Sequence, residues 1–347
     1  MSEVVARLRA QGLGAERAHD VHGAVRTALA IQAQDTRSSR LGVRARSEGL
    51  TVDDVVRACS QERSVVRTWA MRGTLHMVCA EDVRWLLSLL GPVIARKYDR
   101  RRAGLGLDPD LCERILAAIP AILADRGPLV RAELIDALIA RGLAIDTSDQ
   151  APAHVVMLAA LRGVVCRGPD RPDEEPTYVL LDDWIGPGAA PDRDAALAEM
   201  ARRFQRSYCP ADARDLAYWS ALPAADAKRA FALAGRAGPR PADDAAQAPP
   251  RLLPAFDGYL LGHRDRTAVV RPEHASQLTS GSWILPTAVV GGRVAGTWSR
   301  SRERGGLVVT VTPFSGRLPR GSTRGLRAEA ADVGRFLGTP ARMEIAG

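Results

Sequence analysis

Lysine is nearly missing from this chain. Lys97 and Lys228 are the only two in 347 residues, so every other cation in a Lys+Arg total of 48 is arginine. Chemistry that runs through a side-chain amine therefore has two candidates at most. Cysteine is scarce as well. Cys59, Cys79, Cys112, Cys166 and Cys209 are odd in number, scattered and without a CxxC pair, which argues against a disulfide framework and against a cysteine-based zinc or iron–sulfur centre. No metal-ligand cluster, phosphate-cradling glycine loop or Ser/His/Asp constellation stands out, so neither a cofactor nor a metal is expected. There is no N-terminal apolar segment and no apolar run of about 18 residues, the features of a signal peptide and a membrane span. The expectation is a soluble cytoplasmic chain with no membrane partner.

What is abundant is arginine. Lys+Arg exceeds Asp+Glu by 48 to 40, a formal charge of +8, with a pI near 9.7. The excess favours a polyanionic partner, and arginine forks both grip phosphate bidentately and stack on bases. A GC-rich genome would enrich arginine too, so composition alone leaves both origins open. With 46% hydrophobic residues, a chain of this length holds two or more packed units.

The pattern along the chain gives an α+β reading. Val21 to Ile31 has helical spacing, as do Leu41 to Ala45 and Val52 to Cys59, the last with Thr51 as N-cap. Val65 to Arg72 and Thr74 to Val78, around Gly73, read as a hairpin; helices followed by a two-stranded ribbon are the order of a winged helix–turn–helix. The order recurs with helices at Leu111 to Ala124, Arg131 to Arg141 and Ala153 to Arg162, then strands at 164–167 and 178–181 around a charged wing. A third set of helices is expected at Asp194 to Phe204, Ala211 to Ala221 and Ala224 to Ala234, with Gly235 to Pro250 as a linker or long wing. After Arg251 the chain turns β-rich. Trp283 to Val290 and Arg293 to Trp298 flank a Gly291-Gly292 turn, Leu307 to Pro313 is another strand, and a helix over about Gly325 to Leu337 follows. The expected architecture is tandem winged helix–turn–helix units with a C-terminal β-barrel-like domain. Its divisions fall at 1–105, 106–190, 191–250 and 251–347.

Four phrases then stand out together. They are Ile31-Gln32-Ala33-Gln34-Asp35, the run Arg67 to His76, the run Leu252 to Arg266, and the hairpin Val290 to Trp298. In this order they resemble the AlkZ-like winged-helix DNA glycosylases, in the subgroup with a Gln-aliphatic-Gln motif. One departure is Cys209-Pro210, where the family pattern has Gly-Pro. The resemblance implies winged helices and a β-barrel around a concave DNA-binding surface. It also implies hydrolysis of the N-glycosidic bond of N7-alkylated purines, in base excision repair of duplex DNA. Members with this motif are linked with unhooking guanine–guanine crosslinks and with resistance to alkylating antibiotics.

Glutamine suits that chemistry. A neutral amide is no strong base, but an N7-alkylguanine is already cationic and departs without protonation. The enzyme has only to hold a water and stabilise an oxocarbenium-like sugar, which amide oxygens do through hydrogen bonding and dipole. Residues two apart share a side only in extended backbone, so Gln32 and Gln34 predict a helix ending near Ile31 and an extended Gln32 to Gln34. Gln34 is read as the water-positioner with Gln32 against the sugar, or the reverse. Asp35 is either a carboxylate that activates the water or the N-cap of a helix running to Arg46; His76 is either a functional imidazole or a buried structural one; Asp257 is either support for the site or a turn residue. The tryptophans, Trp69 among them, are read as core. Arg37, Arg40, Arg67, Arg72, Arg264, Arg266, Arg293, Arg300, Arg302 and Arg304 are the expected DNA contacts, mostly to phosphate. Neither lysine falls in a recognised phrase, so a monofunctional, monomeric enzyme is expected. The competing reading is a winged-helix transcriptional regulator, which would bind a specific operator and dimerise.

Overall fold

The computed structural model describes residues 3–235 and 248–346. Helices α1 (Glu3–Ala10) and α2 (Val21–Ala28) lead into a short strand, β1 (Ile31–Gln32). Asp20 caps α2 by accepting from the Gly23 amide, and Leu29, at a left-handed φ of 66°, turns the chain out of the helix. α3 (Thr36–Arg46) and α4 (Val52–Ser60) follow, the second opened by a Thr51–Asp54 capping box. Strands β2 (Val65–Trp69) and β3 (Leu75–Cys79) form the anticipated hairpin, and α5 (Val83–Lys97) and α6 (Asp99–Gly104) come after it. Helix α5 has no counterpart in the sequence reading, because apolar residues cover most of its faces and Pro92 lies inside it.

The second set comprises α7 (Pro109–Arg126), β4 (Leu129–Val130), α8 (Arg131–Ile139), α9 (Ala151–Leu161), β5 (Val165–Asp170), β6 (Pro176–Leu180) and α10 (Leu181–Ile185). Its hairpin does not stand apart from the first. The strands join in one six-stranded sheet of order β1-β3-β2-β5-β6-β4, with Arg67 of β2 opposite Arg167 of β5. Three helices come next, α11 (Arg193–Tyr208), α12 (Ala213–Ser220) and α13 (Ala224–Ala234), close to the expected bounds. The linker or wing read over Gly235 to Pro250 falls largely outside the described residues.

The C-terminal unit contains β7 (Arg251–Leu253), α14 (Gly258–Leu261), β8 (Thr279–Ser280), β9 (Trp283–Ile284), β10 (Thr287–Val290), β11 (Arg293–Glu303), β12 (Gly306–Pro313), α15 (Ser322–Phe336) and β13 (Ala341–Ile345). The expected barrel is corrected here. Among the described residues the five strands form an open sheet, β13-β12-β11-β10-β7, whose outer strands do not pair with each other. The run Trp283 to Val290 also divides. Pro286 has no N–H to give a ladder, so β9 pairs with β8 and β10 with β11. β13 lies parallel to β12, which requires a crossover, and α15 supplies it. The buried face of α15 (Leu326, Ala330, Val333, Phe336) shares an apolar cluster with Leu252, Trp298, Val309 and Val311 and with Ile31 and Met77 near the glutamines. That shared core ties the C-terminal unit to the edge strand β1.

Candidate active site

The segment from Ile31 to Gln34 is extended, as the spacing of the glutamines required. Ile31 and Gln32 pair with Met77 and His76 of β3, and the Ala33 amide donates to the Leu75 carbonyl at 2.7 Å. Alternation puts both glutamine side chains on one side of the strand, with Ala33 buried between them. Asp35 ends the strand and caps α3, accepting from the Ser38 amide at 2.7 Å. Its carboxylate has the structural task that the sequence allowed for.

The two amides are held differently. Gln32 is half-buried, and its Oε1 accepts from Nη2 of Arg72 at 2.9 Å. Gln34 is exposed, and its Oε1 accepts only a long bond of 3.3 Å from the Leu75 amide. Arg72 lies in the tight turn between β2 and β3 at φ 58°, ψ 7°, a left-handed conformation uncommon for a residue with a side chain. Its other nitrogen, Nη1, donates to the carbonyl of Trp219 in α12. Burial pushes the Arg72 guanidinium below its ordinary pKa. The expectation that Arg72 contacts phosphate is corrected: it is half-buried, and its terminal nitrogens are turned to Gln32 and Trp219.

His76 sits opposite Gln32 in the ladder and is buried. Burial and the charge of Arg72 push its pKa down to about 3, so the ring is neutral, and Nδ1–H donates to the Thr74 carbonyl at 3.0 Å. Beside Gln34 opens a cavity of about 310 Å³ lined by Trp69, Leu75, His154, Met157, Arg131 and Arg167 among others, and, among the described residues, by no carboxylate. The Arg167 guanidinium lies 4.6 Å from the Tyr178 ring and 5.4 Å from that of Trp69. Burial pushes its pKa down too. Trp69 is therefore a cavity wall rather than only core. Arg131, Met157 and Arg167 were missed because nothing in their local sequence separates them from ordinary helix and strand residues; only the joined sheet and α9 bring them to Gln34.

The remaining candidates divide. Arg67 is buried and held bidentately by Asp170, with both bonds at 2.8 Å, and it also donates to the Gly168 carbonyl. That corrects its reading as a phosphate contact, since its charge is already neutralised. Arg40 is engaged by Glu174 at 2.8 Å, while Arg37 is exposed and only 3.5 Å from the same carboxylate. Arg300 is half-buried and close enough to Asp35 and Arg37 for both charges to act on it. Arg264, Arg293, Arg302 and Arg304 are exposed, and Arg266 donates to the Tyr218 hydroxyl. Asp257 is not free to serve a reaction: it takes both terminal nitrogens of Arg46 at 2.8 Å and caps α14 through the Tyr259 amide. At the hairpin tip, Gly291 and Gly292 both have positive φ, and Gly292 is pressed against Val4 with its carbonyl bonded by the Tyr259 hydroxyl.

Among the described residues, one trio brings metal-ligand atoms together, His22, Cys79 and Glu81, within 4.8 Å. There the Cys79 thiol, pushed up by burial and neighbouring carboxylates, donates to the His22 carbonyl, and Arg26 and His22 share one Glu81 oxygen. This is an ion-pair cluster already satisfied without a metal. No described helix is long and apolar enough to cross a membrane.

The chain is 29% identical over 339 residues to the interstrand DNA cross-link repair glycosylase of Streptomyces sahachiroi, an alignment covering 89% of this chain and 88% of that protein. Its fold superposes on the solved DNA glycosylase AlkZ of Streptomyces sahachiroi with a TM-score of 0.79, at 27% identity, over 99% of this chain and 98% of that one. The family model of the AlkZ-like DNA glycosylases matches residues 25–336, so the regulator reading gives way: the chain belongs to the AlkZ-like DNA glycosylase family.

Proposed function

We propose that this DNA glycosylase is monofunctional, acts on N7-alkylated purines in duplex DNA, and unhooks guanine–guanine interstrand crosslinks. The observation that carries the reading is the pair of glutamine amides on one face beside a cationic cavity without a carboxylate. A site without a carboxylate among its described lining suits a lesion whose base is already a good leaving group. The C1′–N9 bond breaks with its electron pair going to the purine, which leaves neutral, and the sugar becomes an oxocarbenium ion. Gln34, exposed and loosely held, positions the water whose oxygen adds to C1′; its proton passes to solvent. Gln32, whose oxygen is taken by Arg72, meets the substrate through its amide nitrogen. Neither lysine is read as a Schiff-base amine, since neither Lys97 nor Lys228 lines the cavity beside Gln34.

Arg37, Arg264, Arg293, Arg300, Arg302 and Arg304 are read as the phosphate contacts. The helices and hairpins through residue 250 are read as three winged-helix units, divided at 105 and 190 and followed by the C-terminal unit. A monomeric, cytoplasmic enzyme accords with this. The relative's name speaks of crosslink repair, which supports the same task here.

The test is release of N7-methylguanine from methylated duplex DNA. Gln34→Ala is expected to lose on the order of 100-fold in rate while DNA binding survives, the range typical for removing a group that handles the attacking water. Borohydride is expected to trap no protein–DNA adduct. Absence of release by the wild type, with binding intact, overturns the reading for simple adducts.

A further inference from the structure

We infer that Arg72 is a positioning residue that gives the two glutamines opposite hydrogen-bonding polarity: it fixes Gln32 as the donor of the pair and leaves Gln34 as the acceptor. The inference rests on the glycosylase reading of that site. It begins from chemistry that leaves no choice of amide orientation. A guanidinium has five N–H donors and no acceptor, so the Gln32 atom 2.9 Å from Arg72 Nη2 has to be the carbonyl oxygen, and the amide nitrogen then points away from Arg72. The bond is charge-assisted, which draws density from the Gln32 oxygen and polarises its N–H₂ group toward donation. Gln34 has only a neutral backbone donor at 3.3 Å and keeps its oxygen for a water.

Three further features show that this arginine is held for a purpose other than packing. Its neighbour on the same hairpin, Arg67, is neutralised by Asp170, whereas Arg72 donates to two neutral carbonyls, those of Gln32 and Trp219. The Trp219 carbonyl belongs to the last turn of α12, where helix carbonyls lack intrahelical partners and carry partial negative charge, so α12 anchors the guanidinium from behind. The backbone of Arg72 is at φ 58°, where glycine is at ease and a side chain costs about 1–2 kcal/mol. A strained residue placed against a reacting group is a pattern of functional sites.

The same strain supplies a variant that folds. Arg72→Gly relieves the backbone while removing the guanidinium, so its unfolding midpoint should not fall far. Single-turnover release of N7-methylguanine from duplex DNA is then measured for the wild type, Arg72→Gly, Gln32→Ala and the double variant, with DNA affinity measured separately. The expected result is a loss on the order of 100-fold in rate for Arg72→Gly, the scale of a small misplacement at a reacting centre. Affinity stays unchanged, and Arg72→Gly adds no further loss in the Gln32→Ala background. Arg72→Lys should recover part of the rate, because one ammonium reaches one of the two carbonyls. Multiplicative losses in the double variant, an unchanged rate, or a defect confined to affinity each overturn the inference. If the wild type releases no base, it is the glycosylase reading that fails; if the wild type is active and the cycle is multiplicative, only the role of Arg72 fails.

Discussion

Two regions of this molecule take arginines out of water, one fully and one halfway, and their charges are met in different ways. At the junction between α3 and the C-terminal unit, Arg44 meets Glu329 at 3.0 Å and Asp332 at 2.9 Å, and Arg46 meets Asp257 at 2.8 Å. Burial by itself lowers both guanidiniums, yet the carboxylates outweigh it and hold them above their ordinary pKa. Arg251, which shares Glu329 with Arg44, is the exception there: burial and neighbouring guanidiniums push it down. Around the glutamines, Arg72, Arg167 and Arg300 have carbonyls, aromatic rings or a distant carboxylate for company, and burial pushes all three down. Desolvating a cation without a counter-charge is unfavourable, so such groups persist where an anion or a developing charge is to be met. Paired arginines build the frame; those without a close carboxylate stand around the glutamines and their cavity.

The strongest way to break this division is to strand a paired cation. Arg46 and Asp257 each have side chains 1% exposed, so Asp257→Ala leaves a charge in the interior with no route to water. It should cost about 3–5 kcal/mol, the range for removing one partner of a buried ion pair. Arg167→Gln, which removes a cation that has no acid partner, should change stability far less and lower activity instead. Denaturant unfolding of the two variants side by side decides the matter: equal losses, or a larger one for Arg167→Gln, would erase the contrast.

The sequence made one part of the site legible and hid another, for reasons visible in particular residues. Two glutamines two apart can share a side only in extended backbone, and Asp35 before Thr36 offered a cap, because both are local consequences of spacing. The hairpins and the helix over Ala224 to Ala234 were equally local. The fate of Arg67 was not: Asp170 lies 103 positions away, and only the pairing of β2 with β5 brings the two together. The same joined sheet makes Trp69 and Arg167 walls of one cavity. The barrel expectation failed because β-rich sequence does not reveal whether the outermost strands meet, and here β7 and β13 remain the two edges.

A second prediction sharpens the contrast by pH. His76, neutral beside Arg72 with a folded pKa of about 3, has an unfolded pKa near 6.5. Between those values the unfolded chain takes a proton that the folded one refuses, so stability falls as pH falls through the window from 6.5 to about 3. The slope is about 1.4 kcal/mol per pH unit. His76→Asn keeps a donor for the Thr74 carbonyl and does not titrate. The gap between it and the wild type should therefore narrow by roughly 2–3 kcal/mol from neutral pH to about pH 4.5. Parallel stability curves would mean that His76 is not held neutral.

The smallest effect is the most direct test of what unpaired arginines are for. Arg300 is half-buried, and its Nη1 has no hydrogen-bond partner among the described residues, while Arg67 is tied to Asp170. If Arg300 reaches a phosphate in the complex, Arg300→Gln should weaken duplex binding alike for every sequence. It should also shallow the log–log dependence of affinity on salt by about 0.9, the release of one phosphate's counterions. Arg67→Gln should leave that slope unchanged, because its charge is already spent on a carboxylate, and should appear as lost stability instead. A shared change in slope would show that pairing within the protein does not decide which cations the DNA feels.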